Sequence, residues 1–344
     1  VRKVTTFIPN EQEFAHFCAI FVIFLAISSF FCTFAAVMIG VFDSGYGGLT
    51  ILKHIRRLLP EYDYLYLGDN ARAPYGTRSY EVIYEYTLQA VRYLASAGCR
   101  LILLACNTAS AKALRSIQMH DINPDRLRVL GVIRPTAEAV FNCAFAPSAD
   151  RQERHIGVLA TEGTVNSTSY IIELCKQWRP ERDEDEILTM PDQQSTLRYH
   201  GLNITQQACP LWVPIIEAGE QDEAGAAWFI NKYIKSLVSR DPDIDTILLA
   251  CTHYPIIQDK IQAVLNILYN DEPWLNGKKV PTVMSQGEIV SSSLKDYLFR
   301  HPEIERTCSR GGTCTFLTTE RTDKFDSAAS LFLGHNVNSK TIEL

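Results

Sequence analysis

A chain of 344 residues that is 47% hydrophobic and 21% charged has room for two ordinary domains and is too apolar to be disordered throughout. Its formal net charge is -6, and no dense Lys/Arg cluster with interleaved aromatic residues occurs, which argues against nucleic acid as a partner. The ten cysteines are scattered without a CxxC pair or a Cys/His ligand spacing, so neither a structural zinc site nor a disulfide framework is expected, and a reducing compartment fits better.

The first 37 residues stand apart. From Phe17 to Val37 nothing is charged, a run long enough to span a bilayer, and Arg2 and Lys3 precede it as in a signal peptide or anchor. Met38 sits directly before the first predicted strand. The stretch therefore also reads as an apolar extension outside the catalytic body, and a packed helix is a third reading. The expectation is a cytoplasmic protein, with membrane contact through Phe17 to Val37 only if residues 1–37 are retained.

After Met38 the pattern becomes regular. Apolar runs predict strands near Ile39 to Asp43, Tyr64 to Gly68, Leu101 to Cys106 and Val129 to Ile133. Helical spacing predicts a helix from Leu49 to Leu59, with Pro60 just past its end, and another from Tyr80 to Ala97, stopping at Gly98. The second half repeats the scheme, with strands expected near Ile156 to Ala160, Ile187 to Met190, Thr246 to Cys251 and Thr282 to Ser285. Asn142 to Arg154 and Gln177 to Gly201 are polar and read as surface connections. A helix after Gly287, a short strand at Thr315 to Thr318 and a helix near Asp326 to Leu333 complete the body. Strands alternating with helices imply parallel sheets.

In each quartet the third strand carries the same ending. Ile102-Leu-Leu-Ala-Cys106-Asn-Thr and Ile247-Leu-Leu-Ala-Cys251-Thr-His are apolar runs that stop at a cysteine followed by helix-starting residues. The first strand of each carries a Gly-Val pair, Gly40-Val41 and Gly157-Val158. This is a weak internal duplication, with a period too long for a solenoid. Two α/β halves facing each other would bring both cysteines to one cleft, at the strand edge where such sheets bind ligands.

A thiol at a helix N-terminus is expected to have a lowered pKa. Small buried core residues are the alternative for a single cysteine, but two in matched settings point to chemistry. Thiols on opposite faces of one carbon could remove a proton from one side and deliver one from the other, giving stereoinversion without a redox step. Asp43 and the glycines of Asp43-Ser44-Gly45-Tyr-Gly47-Gly48 permit close approach of a ligand to the backbone, although Asp43 could merely cap a helix and Asp69 a turn. His253 lies two residues after Cys251, where it could relay a proton.

The blocks Gly40-Val-Phe-Asp-Ser-Gly-Tyr-Gly-Gly48, Gly68-Asp69 with Pro74-Tyr-Gly76, Ala105-Cys-Asn-Thr-Ala-Ser110, Gly131-Val-Ile133, Ala160-Thr-Glu-Gly-Thr164, Cys209-Pro-Leu-Trp-Val-Pro-Ile-Ile-Glu217 and Ala250-Cys-Thr-His-Tyr-Pro255 occur in this order. From Met38 to about Leu333 they resemble the glutamate racemases of the cofactor-independent Asp/Glu racemase superfamily. That resemblance implies two pseudo-symmetric α/β domains, each a mainly parallel sheet flanked by helices, with the active site in the cleft between them. The first would comprise residues 38–132 and 286–344, the second residues 133–285. It implies Cys106 and Cys251 as catalytic bases, with Asp43 and His253 as acid/base supports and Glu217 as a further site carboxylate. Substrate would be held by Ser44, Pro74, Tyr75, Gly76, Asn107, Thr108, Thr161, Thr164 and Thr252. It further implies glutamate as the small-molecule substrate, no cofactor and no metal, a homodimer, and a supply of D-glutamate for peptidoglycan.

Three departures from the family pattern are visible: residues 1–37 have no equivalent, the Gln177 to Ala208 connection is longer than usual, and Arg134-Pro-Thr136 is a variable site. Alternatives of the same fold are a racemase of aspartate or another small acidic amino acid. An alternative of another class is a non-catalytic amino-acid-binding protein.

Overall fold

The computed structural model describes residues 37–142, 153–179 and 196–344. The strand expected at Ile187 to Met190, and the apolar run from Phe17 up to Val37, lie outside the described residues; Val37 itself bridges to Cys308. Among the described residues no helix is long and apolar enough to cross a membrane.

Two sheets carry the architecture. The first contains β1 (Ile39–Asp43), β2 (Tyr64–Gly68), β3 (Leu101–Leu104), β4 (Arg128–Gly131), β10 (Cys314–Thr318) and β11 (Ser339–Thr341), all parallel in the order β11-β10-β2-β1-β3-β4. The second contains β5 (Arg154–Ala160), β6 (Thr196–Tyr199), β7 (Leu202–Ala208), β8 (Thr246–Ala250) and β9 (Thr282–Met284), in the order β6-β7-β5-β8-β9. Only the edge pair β6–β7 is antiparallel.

The duplication is visible in the topology. β1 lies between β2 and β3, and β5 lies between β7 and β8; β3 is followed across the sheet by β4, and β8 by β9. Register repeats as well, with Gly40 opposite Ile102 and Gly157 opposite Ile247. At both glycines a Cβ would crowd that isoleucine's Cγ1, at 3.1 and 3.2 Å respectively, so the absent side chain makes room for the neighbouring strand.

Burial on both faces explains the continuous apolar runs. In the first sheet Ile39, Val41, Leu101 and Leu103 face a core completed by helices Gly48–Leu58, Gly287–Arg300 and Thr322–Leu333. Phe42, Ile102 and Leu104 face the opposite core with helix Tyr80–Ser96. Helix Gly48–Leu58 buries Leu49, Leu52 and Ile55 at helical spacing, places Arg56 and Arg57 in its last turn, and ends ahead of Pro60. Helix Tyr80–Ser96 starts at Ser79, whose Oγ accepts from Val82 N at 3.4 Å, and closes at Gly98 with φ +97.

Some boundaries differ from the sequence reading. β4 ends at Gly131, and Ile133 already starts the helix Ile133–Asn142. β7 was not expected, because Leu-Asn-Ile-Thr-Gln-Gln-Ala contains Asn203, Thr205, Gln206 and Gln207 and lacks an apolar run. β11 escaped notice because it is a polar, mostly exposed edge strand.

A buried ion pair ties the start of β5 to the segment entering β8. Arg154 donates from Nε and Nη2 to Asp245 at 3.0 and 2.9 Å, and the backbone N–H of His155 donates to the same carboxylate at 3.0 Å. Burial pushes the Asp245 carboxyl up, but hydrogen bonds from Arg154, His155 and Thr246 outweigh it and hold the pKa below the ordinary value. A depressed carboxylate stabilises the fold above its unfolded pKa, and that contribution disappears as pH falls through the folded one. Asp245→Ala leaves the Arg154 guanidinium buried without its partner; urea titration at neutral pH is expected to show a loss of about 3–5 kcal/mol.

Candidate active site

The two Leu-Leu-Ala-Cys segments leave β3 and β8 at the carboxyl edges of their sheets, and Cys106 and Cys251 line one cavity. Its volume is about 70 Å³, where a single water takes roughly 10–15 Å³. This is space for a small organic acid. Ser44, Pro74, Tyr75, Gly76, Asn107, Thr108, Thr161, Glu217, Thr252 and His253 line it too. Asp43 and Thr164 are fully buried just behind this lining.

On the first wall Cys106 caps the helix Asn107–Lys112, its Sγ 3.5 Å from Ala109 N and 3.2 Å from Ser44 Oγ. Asp43 ends β1, and its Oδ2 accepts from Gly45 N at 2.9 Å while Oδ1 has no partner. Burial raises the Asp43 carboxyl, against the opposing pull of His253. Burial, reinforced by Asp43, pushes the Cys106 thiol up to about 12, and the contacts from Ser44 and Ala109 only partly counter it. This reverses the expected lowering at a helix N-terminus. Desolvation in a dry site outweighs the single backbone N–H of a six-residue helix.

The second wall is built differently. Cys251 precedes a turn and the short 3-10 segment Tyr254–Ile257, and no helix starts immediately after it. Its Sγ lies 3.8 Å from His253 Nδ1, and His253 Nε2 lies 2.9 Å from Glu217 Oε1. Burial pulls the His253 pKa down, but the interactions with Cys251 and Glu217 outweigh it and raise it to about 10. An imidazole with a raised pKa thus faces Cys251, with Glu217 behind it.

The walls interlock at the glycine turn after β1. A Cβ on Gly47 would lie 2.2 Å from Thr252 Oγ1 and 2.4 Å from His253 Nδ1, and one on Gly45 would lie 2.8 Å from Glu217 Oε1. Thr50 Oγ1 donates to Thr252 O at 2.9 Å across the same contact.

The rim is hydroxyl-rich. Thr161 Oγ1 sits 2.9 Å from Thr108 Oγ1 and 3.1 Å from Thr164 Oγ1. The Pro74–Gly76 loop is held from below: Asp69, fully buried, accepts from Tyr75 OH at 2.5 Å, Arg72 Nε at 2.7 Å and Thr319 Oγ1 at 2.8 Å. Asp69 is therefore more than a turn cap. The Asn107 carboxamide points at Gln286 and Tyr170. Sequence reading missed those two partners, as well as Pro210, Val213 and Pro214, which supply apolar lining. Pro210, Val213 and Pro214 lay inside the block ending at Glu217; Gln286 carried one faint signal, its place in a strand-to-helix turn.

No protein-family model matches the chain. Curated relatives do. A glutamate racemase from Ruegeria sp. (strain TM1040) is 35% identical over 302 residues, 87% of this chain and 97% of the relative. One from Dinoroseobacter shibae is 36% identical over 308 residues, covering 89% and 98%. The chain belongs to the glutamate racemase family. Solved structures of that family agree: the glutamate racemase from Bacillus anthracis superposes with a TM-score of 0.70 at 28% identity, covering 90% of this chain and 98% of that one. The Francisella tularensis glutamate racemase, solved with D-glutamate, matches with the same scores and coverage.

For this member of the glutamate racemase family, the Gly47 contact yields a direct expectation. Gly47→Ala must displace His253 or Thr252, and kcat/KM should fall roughly 100-fold, as a shift of about 1 Å at reacting groups does. Steady-state kinetics beside a thermal melt checks it; wild-type kcat/KM in the folded variant would show that the close approach is unimportant.

Proposed function

We propose that the protein interconverts L-glutamate and D-glutamate by a two-base mechanism, with Cys106 and Cys251 as the bases, and so supplies D-glutamate for peptidoglycan. The observation that carries this reading is one buried thiol on each wall of a single small cavity. Family membership supports the substrate.

In one direction the thiolate of one cysteine takes the α-proton, so the Cα–H bond breaks and an S–H bond forms. The opposite thiol then gives its proton to the other face of the carbanion. The reverse reaction uses the same groups with roles exchanged, which requires one thiol and one thiolate at any time. Cys106, pushed up to about 12, suits the thiol role at the start, and the imidazolium of His253 is the counter-charge that a thiolate at Cys251 needs. Glu217 orients His253, and Asp43, with its raised carboxyl, assists beside Cys106. Proton transfer by the chain's own thiols requires no cofactor.

The carbanion's charge spreads onto the α-carboxylate, and donors aimed there lower the barrier. Ser44, Thr108, Thr161 and Thr252 supply hydroxyls, with Thr164 behind them in contact with Thr161 and Thr108; Asn107 supplies its backbone N–H, and the Pro74–Tyr75–Gly76 loop its backbone. Residues 38–132 with 286–344, and residues 133–285, are taken as the domains that close on the substrate, and a homodimer as the working form.

The full chain incubated with either enantiomer in deuterated water should yield both enantiomers with deuterium at Cα, followed by chiral chromatography. Cys106→Ser and Cys251→Ser should each abolish interconversion, and full activity in either would refute the thiol pairing. Aspartate turned over in preference to glutamate would move the substrate assignment, and tight binding without α-proton exchange would mark a binding protein.

The pH dependence originates in His253. Its raised pKa keeps the imidazolium through neutrality and loses it as pH rises through about 10. Racemisation should therefore fall on the alkaline side near that value, and a pH profile of His253→Asn should lack this limb at a lower plateau. An unchanged limb in the variant would assign it to another group.

A further inference from the structure

Behind Cys106 lies a closed polar cluster that the proton-transfer chemistry does not use. Asn107, Thr136, Tyr170 and Gln286 are each at most 2% exposed. They come from four separate parts of the chain. Asn107 starts the helix after β3, and Thr136 sits on Ile133–Asn142, where the chain leaves the first sheet. Tyr170 belongs to helix Ser169–Trp178, packed on the second sheet. Gln286 lies between β9 and helix Gly287–Arg300, where the chain returns to the first.

The two carboxamides face each other. Asn107 Nδ2 donates to Gln286 Oε1 at 2.6 Å, and Gln286 Nε2 donates back to Asn107 Oδ1 at 3.2 Å. Gln286 Nε2 has two hydrogens for three acceptors: Thr136 Oγ1 and Tyr170 OH, both at 2.8 Å, are the shorter partners and the 3.2 Å contact to Asn107 Oδ1 is shared, while Tyr170 OH donates to Asn107 Oδ1 at 2.8 Å. Thr136 Oγ1 in turn donates to Val132 O at 2.6 Å. A carboxamide is neutral, planar and both donor and acceptor, so it can complete such a ring where a carboxylate or an alkyl chain cannot. Buried hydrogen-bonded networks of this kind favour one geometry.

We propose that Gln286 is a positioning residue for Cys106: by clamping Asn107 to both connections between the sheets, it fixes the strand-to-helix turn that aims the thiol across the cavity at Cys251. The proposal rests on the racemase reading. Rotation of Asn107 would move its neighbours together, because Cys106 Sγ, Ala109 N and Thr108 Oγ1 all ride on the same turn. Cys251 Sγ contacts His253 and is not hydrogen-bonded to this cluster among the described residues, though Tyr170 lies within electrostatic reach of it; its wall is tied through Thr252 to Thr50 and Gly47. Losing the clamp therefore slows proton transfer at Cys106 and spares the step at Cys251.

Stereochemistry makes that asymmetry measurable in the full chain. With α-deuterated L- and D-glutamate, the enantiomer whose α-hydrogen faces Cys106 reports the slowed deprotonation, and its mirror image reports the slowed reprotonation. In Gln286→Leu, kcat should fall about tenfold or more. The primary isotope effect on kcat/KM should rise for the first enantiomer and fall for the second. Unchanged kcat, or a lower kcat with both isotope effects at their wild-type values, overturns the proposal, since general loosening slows both steps alike. Tyr170→Phe removes only the hydroxyl joining the two carboxamides and should give the same split, smaller. If Gln286→Leu does not fold, wild-type isotope effects in Tyr170→Phe overturn the proposal in its place. A wild-type chain that neither racemises glutamate nor exchanges its α-proton sinks the racemase reading itself, whereas an active wild type with unsplit variants sinks only the role of Gln286.

Discussion

The site depends on a contact with no side chain on one side of it. The turn after β1 passes so close to Thr252 and His253 that only hydrogen fits at Gly47. That approach brings Asp43 within electrostatic reach of His253, and both thiols lie buried. Buried surroundings have two effects. They raise the thiol of Cys106, and they strengthen the pairing of His253 with Cys251 and Glu217 beyond what water would allow. Packing and electrostatics at this site are therefore one constraint.

Much of this was legible in the sequence, for a physical reason. Parallel strands covered on both faces must be apolar throughout, so β1, β3, β5 and β8 announced themselves as unbroken runs, and their cysteine endings marked the sheet edge. The glycine cluster at Gly45 to Gly48 pointed to close approach, and His253 stood near Cys251 in sequence as it does in space. Other features depend on long-range partners. Asn107 reads as a helix starter until Gln286, far along the chain, is seen paired with it. β7 is an interior strand of its sheet, yet its glutamines and threonine conceal it. The sign of the Cys106 shift could not be read either, because the helix end is local and visible while the desolvation comes from the whole fold.

The two halves share topology and register but not electrostatics. Gly40 and Gly157, Ile102 and Ile247, Cys106 and Cys251 occupy corresponding places. Immediately after the cysteines the two halves diverge. Asn107-Thr108 opens a helix whose carboxamide is committed to Gln286 and Tyr170, and Thr252-His253 opens a turn whose imidazole is committed to Glu217. One wall is thus held by a network of neutral side chains, while on the other an imidazole pairs with a carboxylate.

That divergence bears on why a duplicated fold suits stereoinversion. The reaction is symmetric between mirror-image substrates, and two equal thiols would match it. Equal thiols in one dry cavity would, however, tend to be both protonated, leaving no base, or both ionised, with like charges repelling across a small space. The raised imidazole beside Cys251 on one wall, and the raised thiol of Cys106 on the other, break that symmetry. In the proposed mechanism, turnover from the other face places the negative charge on the Cys106 wall, where Ser44 Oγ and Ala109 N contact the sulfur. Burial disfavours a resting thiolate at Cys106, and in the proposed mechanism its placed donors support the one formed during turnover. The two walls therefore need different supports for the same atom to do the same work from either face.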